Sequence, residues 1–220
     1  MNKLKSEIPV RDIGISRRSV TGSVPSLGKY ESTLERDLME ILRFDPRVDG
    51  FTAQPLTITF LDEKGGKRSY TPDGLIHFKE SSYRPVPVLY EVKFREDFRK
   101  NWKLLIPKFR AAKSYCLDKG WRFEVFTERE IRTPYLDNVK FLWPYRERVP
   151  TCEVSSAILQ MLWDLDEADP DLLLCALCHD SNNRARMIPS LWHMVAVGII
   201  GCDLNAPLTM RTRIWAEQDS

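Results

Sequence analysis

Thr71-Pro72-Asp73 and, after seventeen intervening residues, Glu91-Val92-Lys93 within the apolar run Val88-Leu89-Tyr90-Glu91-Val92-Lys93-Phe94 decide how this chain is read. Side chains alternate along a strand, so Glu91 and Lys93 share one face. Two charges side by side on a strand otherwise built of Val, Leu, Tyr and Phe carry a cost on the order of several kcal/mol if buried unpaired. A divalent cation relieves that cost. Asp73, on the neighbouring hairpin strand, and Glu91 are hard oxygen ligands suited to Mg²⁺, with Mn²⁺ as a substitute, and Lys93 can orient or deprotonate a water and steady charge on a phosphate. This is the chemistry of phosphodiester hydrolysis. An Asp…Glu-x-Lys pattern is short enough to occur by chance, and its weight comes from its surroundings.

Those surroundings alternate between helix and strand. Leu34, Leu38, Ile41 and Leu42 fall at helical spacing, Ser32 and Glu35 form a capping-box pattern, and Asp45-Pro46 stops the run. Glu35 borders the apolar stripe and points toward the sheet, where it can complete a metal shell. Glu31, one turn earlier, competes for that role but lies beyond the expected N-cap. Pro55 to Phe60 reads as a strand, Asp62 to Lys67 as a hairpin loop, Ser69 to Phe78 as the partner strand, and Val86 to Phe94 as a third. Glu96 to Lys119 is helical in composition, with Pro107 expected to kink it or begin a second helix, and Gly120 ends it. Trp121 to Phe126 alternates as a strand, Thr127 caps a turn of helix, and Val139 to Leu142 reads as extended. The fold class is therefore α/β, a mixed sheet flanked by helices.

Charge divides the chain near Pro150. Residues 1–150 carry 29 Lys and Arg against 21 Asp and Glu, whereas 151–220 carry 4 against 10. The basic part suits a polyanion and the acidic part suits a protein partner. Three segments follow: a basic arm over 1–29, a catalytic domain over 30–150, and a partner-docking domain over 151–220. The longest stretch without charged or strongly polar residues, Met194 to Cys202, is far short of the roughly 20 residues that cross a bilayer. The N-terminus has no apolar run behind its basic residues, and the five cysteines are scattered, so a cytoplasmic protein with reduced thiols and no membrane partner is expected.

The chain resembles the PD-(D/E)xK nuclease superfamily and, within it, the TnsA-type endonuclease subunits of heteromeric transposons. The likeness runs through Arg18-Ser19-Val20-Thr21-Gly22, Glu31 to Asp37, Phe44-Asp45-Pro46, Gln54-Pro55, Thr71-Pro72-Asp73 and Glu91-Val92-Lys93, then Asn101-Trp102-Lys103, Gly120 to Phe123 and Thr127 to Ile131. It implies a restriction-endonuclease-like core in which Glu35, Asp73 and Glu91 hold Mg²⁺, Lys93 is the catalytic lysine and Gln54 supports the site. Glu91 follows the commoner superfamily pattern, without the glutamine found in some members of the family. The resemblance further implies cleavage of the 5′-end strands of double-stranded transposon DNA, beside a DDE-type transposase subunit that handles the 3′ ends. An ATP-dependent regulator subunit would dock on the C-terminal domain.

Basic residues offer DNA contacts. Arg17 and Arg18 lie in the arm, and Lys100 and Lys103 lie on the helix after the site beside Trp102. In the tail, helices over 155–165, 170–178 and 188–198 followed by two short strands have the order of a winged helix-turn-helix, an α+β domain. Arg184, Arg186, Arg211 and Arg213 are possible phosphate contacts there, yet Ile188 to Val197 has little with which to read bases, so protein docking is favoured. Cys175-Ala176-Leu177-Cys178-His179 spells a haem-attachment pattern without an export signal, and lacks the second pair that a zinc site needs. Two rival readings are a stand-alone restriction-type or junction-resolving nuclease and a non-catalytic DNA-binding assembly subunit.

Overall fold

The computed structural model describes residues 22–24, 28–30, 32–62, 65–80 and 85–217. Arg17, Arg18 and Glu31 lie outside them, as does most of the expected arm. Within the arm, β1 (Gly22–Val24) and β2 (Gly28–Tyr30) pair antiparallel, so part of it is strand. The chain forms two compact units, Met1–Arg132 and Thr133–Ser220.

In the first unit α1 (Thr33–Phe44) is capped by Ser32, whose Oγ accepts from the Glu35 backbone N–H at 3.1 Å. The Glu35 carboxylate in turn accepts from the Ser32 hydroxyl at 2.9 Å. Next come β3 (Val48–Ala53), the hairpin β4 (Ile58–Leu61) and β5 (Lys67–Tyr70), β6 (Gly74–Phe78), β7 (Val88–Val92), α2 (Arg95–Lys119), β8 (Arg122–Phe126) and α3 (Glu128–Ile131). The main sheet has the order β3-β6-β7-β8. Its first three strands are antiparallel, and β8 is parallel to β7 by way of α2.

Each sheet face has its own core. On one, α1 packs Leu34, Leu38 and Leu42 against Val88, Tyr90 and Val92. On the other, Leu89 and Leu75 meet Ala112 and Cys116 of α2 together with Ile58 and Tyr70 of the small hairpin. The buried stripe of α2, Leu105, Phe109, Ala112 and Cys116, follows helical spacing, and the helix runs through Pro107 without a break. Gly120 ends it in a left-handed conformation, φ 70°.

The structure divides the expected Ser69–Phe78 strand in two. β5 pairs with β4 and β6 pairs with β3, and between them Pro72, which has no N–H to give a ladder, carries the chain from the hairpin into the main sheet. Asp73 therefore stands at the entrance to β6.

The second unit begins with α4 (Pro134–Arg146), where the sequence reading expected an extended Val139–Leu142. Leu136, Val139 and Leu142 are buried at a spacing of three, and Pro134 opens the first turn, so helical burial overrides strand propensity here. α5 (Cys152–Leu165), β9 (Glu167–Ala168), α6 (Pro170–Leu177), α7 (Ser181–Ala196), β10 (Ile200–Cys202) and β11 (Ile214–Ala216) follow, with a sheet of order β10-β11-β9. Buried Asn138 on α4 donates to the Leu204 and Ala206 carbonyls at 2.8 and 2.7 Å and accepts from the Leu208 N–H at 3.0 Å. Phe141 meets Trp192 of α7 edge to face at 5.2 Å. These contacts tie α4 to the C-terminal unit and move the boundary from Pro150 to Arg132/Thr133. The charge asymmetry survives the move: 26 Lys and Arg against 19 Asp and Glu before it, 7 against 12 after it. Among the described residues no helix is long and apolar enough to cross a membrane.

One close approach holds β6 to β7. Gly74 lies opposite Tyr90, and a Cβ at Gly74 would overlap the buried Tyr90 ring. Gly74→Ala is expected to lower stability by about 1–3 kcal/mol in urea unfolding, the usual range for overpacking. Wild-type stability in that variant would show that the sheet does not depend on this contact.

Candidate active site

The crossing of β6 and β7 assembles the site. Because Gly74 pairs with Tyr90 on antiparallel strands, Asp73 falls beside Glu91. The Asp73 Oδ2 accepts from the Val92 backbone N–H at 2.7 Å, and its carbonyl accepts from the Gln54 N–H at 2.9 Å. Gln54 is buried and leaves β3 at φ 48°, in the left-handed region. Gln54 thus meets Asp73 through its backbone N–H. Glu91 is only 4% exposed; its Oε2 accepts from the Tyr70 hydroxyl at 2.7 Å, and its Oε1 pairs with Lys93 Nζ at 3.0 Å. Glu91 and Lys93 do share a face, as strand alternation requires.

Electrostatics marks the cluster. Burial, then the Glu91 charge and more weakly Glu35, hold the Asp73 carboxyl well above the usual carboxylate range, against the opposing pull of Lys93 and the Val92 N–H. Burial pulls the Lys93 ammonium down, but Glu91, Asp73 and Glu35 together outweigh it and raise it. Tyr70 is pushed up by burial and then by Glu91, and Tyr90 by burial and then by Asp73 and Glu35, so both phenols stay neutral. Two carboxylates crowded into a largely dehydrated site, with one cation for both, form a donor set that favours a further positive charge.

Glu35 stands less close. Its charge is felt at Asp73, Tyr90 and Lys93, and its Oε1 accepts from the Ser32 hydroxyl. Among the described residues no three His, Cys, Asp or Glu side chains close into a metal-holding group. The sequence reading missed what fixes α1. Buried Asp37 accepts from Arg36 at 3.2 Å and from Arg132 at 3.1 Å, Arg132 also donates to Thr33 Oγ1 at 3.0 Å, and its guanidinium lies 5.6 Å from the centre of the Phe94 ring. It also missed Tyr70, whose only sequence signal is to be the lone aromatic of Lys67-Arg68-Ser69-Tyr70.

Of the expected DNA contacts, Lys100 pairs with Glu96 at 2.7 Å and Lys103 lies 5.6 Å from the centre of the Trp102 ring, both on the exposed side of α2. Lys108 stands nearer the chemistry, 5.9 Å from the centre of the Tyr70 ring. In the second unit Arg211 pairs with Asp169 and Asp171, Arg213 with Glu167, and Arg184 donates to the Cys178 and His179 carbonyls. Residues 191–196 of α7 are buried, so that end of the helix is core and reads no bases.

Residues 45–128 match the family model of the TnsA-like endonuclease N-terminal domain. This part of the chain is similar to a TnsA-type nuclease domain. The matched span runs from the C-cap of α1 into α3 and holds Gln54, Tyr70, Asp73, Glu91 and Lys93, whereas Glu35 lies upstream of it. No curated protein matches the chain.

The strain at Asp73 has a measurable sign. A carboxyl raised in the folded state binds a proton more readily there than in the unfolded chain, so metal-free stability falls as pH rises from about 4 through the folded-state value. Asp73→Asn removes that contribution and keeps an acceptor for Val92. In chelator, the variant is expected to unfold at higher urea than wild type at neutral pH, with the difference shrinking toward pH of about 4. A variant less stable than wild type at neutral pH would contradict the electrostatic reading.

Proposed function

We propose that the chain is a Mg²⁺-dependent DNA endonuclease subunit of a heteromeric transposase that cuts the 5′-end strands at transposon ends. The observation that carries this reading is the meeting of Asp73, Glu91 and Lys93 at one end of the sheet inside a TnsA-like nuclease domain.

The residues present fit a hard divalent cation, since Asp73 and Glu91 are crowded carboxylates of which Asp73 is held abnormally protonatable. Asp73 and Glu91 would hold it, with Glu35 brought in by α1. The cation would supply Lewis-acid stabilisation of the phosphoryl oxygens and a more acidic water. Lys93, raised and cationic in this setting, stabilises negative charge on the phosphate and orients the attacking water by donating to it, in preference to removing its proton. Tyr70 holds Glu91 in place through Oε2.

Double-stranded DNA would lie along the basic face of α2, with Lys100, Lys103 and Lys108 tracking phosphates and Arg17 and Arg18 adding contacts from the arm. A DDE-type transposase subunit would process the 3′ ends. The second unit would be a winged-helix-like domain, a reading supported by the order α5, β9, α6, α7, β10 and β11 that follows α4. Its acidic balance and the buried end of α7 favour docking of an ATP-dependent regulator over base reading.

In a reconstituted strand-cleavage assay with the transposase partner and Mg²⁺, Asp73→Ala and Lys93→Ala are each expected to reduce 5′-strand cleavage by at least about 10²-fold, with partner recruitment unchanged. Full cleavage by either variant would end this mechanism. Recruitment without cleavage by the wild-type complex would favour the assembly-subunit reading.

A further inference from the structure

β8 ends the main sheet. The Arg122 N–H donates to the Pro87 carbonyl and the Phe126 carbonyl accepts from the Lys93 N–H, both at 3.0 Å, so Arg122, Glu124 and Phe126 turn their backbone groups toward β7. Phe123 and Val125 therefore turn theirs outward. Among the described residues no strand pairs with that outer edge. The side chains of Phe123 and Val125 lie on the α2 side of the sheet and line a cleft of about 560 Å³ with Phe98, Ile106 and Phe109. Arg110 and Lys113, both exposed on α2, stand at the same cleft. An unpaired strand edge, an apolar floor reached by alternate side chains and a cationic rim occur together here.

We propose that the outer edge of β8 and this cleft form a docking site for an extended acidic segment of a partner protein, which adds to the sheet as a further strand. The backbone groups of Phe123 and Val125 supply hydrogen bonds, every second side chain of the segment enters the cleft, and acidic residues meet Arg110 and Lys113. A second copy of this chain fits less well. Pairing the full length of two β8 strands antiparallel sets Glu124 against Glu124, and a register shifted by two to avoid this pairs only residues 122–124 or 124–126. Duplex DNA fits less well too, because the rings at the cleft pack on one another, Phe98 on Phe109 at 6.1 Å and Phe109 on Phe123 at 5.5 Å, and present an apolar floor to any phosphate. The inference goes beyond the nuclease reading, and its readout is binding alone.

The probe is a fluorescein-labelled peptide that alternates acidic and apolar residues, Asp-Val-Glu-Phe-Glu-Val-Asp, titrated into the full chain and followed by anisotropy and by amide hydrogen exchange. The peptide is expected to bind and to slow exchange at the Phe123 and Val125 amides. The Arg110→Glu, Lys113→Glu double variant should weaken binding by at least about tenfold with unfolding unchanged. Val125→Pro removes an outward N–H without taking a bond from the β7 ladder and should abolish binding; if it does not fold, the exchange result on wild type decides. Absence of binding, unchanged affinity in the charge-reversed variant, or no protection at Phe123 and Val125 would overturn the proposal. Displacement of the peptide by a short DNA duplex would overturn it in favour of a phosphate track.

Discussion

The crowding of Asp73 and Glu91 at one end of the β6–β7 pair is the constraint on which the rest of this nuclease domain depends. Neither carboxylate is placed by chance: Val92 and Gln54 hold Asp73, and Tyr70 and Lys93 hold Glu91. The holders come from three elements, with Val92 and Lys93 both at the end of β7. The hairpin β4–β5 delivers Tyr70, the exit of β3 delivers Gln54, and the end of β7 delivers Lys93. A domain stabilised only by its two apolar faces would have no use for this arrangement, since burying one carboxylate beside another opposes folding. Such a group is retained where charge is needed for chemistry.

The site was legible where strand alternation governs it. Glu91 and Lys93 on one face, Asp73 on the adjoining strand and the Ser32-capped helix bearing Glu35 all follow from spacing in the sequence. Tyr70 was not legible, because a strand that leaves one sheet for another at Pro72 brings its last residue over a distant strand, and no local pattern records that. Asp37 and Arg132 are ninety-five residues apart, and an acidic residue on a helix reads as surface until its partner is known. The Val139–Leu142 segment went astray for a related reason: a short apolar run is ambiguous between strand and helix, and the packing of α4 on α7 decides it.

The shifted boundary changes how the acidic second unit is understood. Asn138 spends both of its side-chain donors and its acceptor on residues 204–208, so α4 and the loop between β10 and β11 form one piece with the helices that follow. The arginines that looked available for DNA in this unit are mostly tied to its own carboxylates and carbonyls. Under the proposed function, phosphate contact would fall to the first unit, along α2, while the second presents a predominantly acidic composition suited to protein partners.

Calorimetric titration of Mn²⁺ into the full chain and its Asp73→Ala variant tests, without any partner subunit, whether Asp73 and Glu91 form a cation site. The wild-type protein is predicted to bind Mn²⁺ and the variant to lose that binding while remaining folded. Equal binding by both proteins, or none by either, would contradict a metal centre built on these carboxylates.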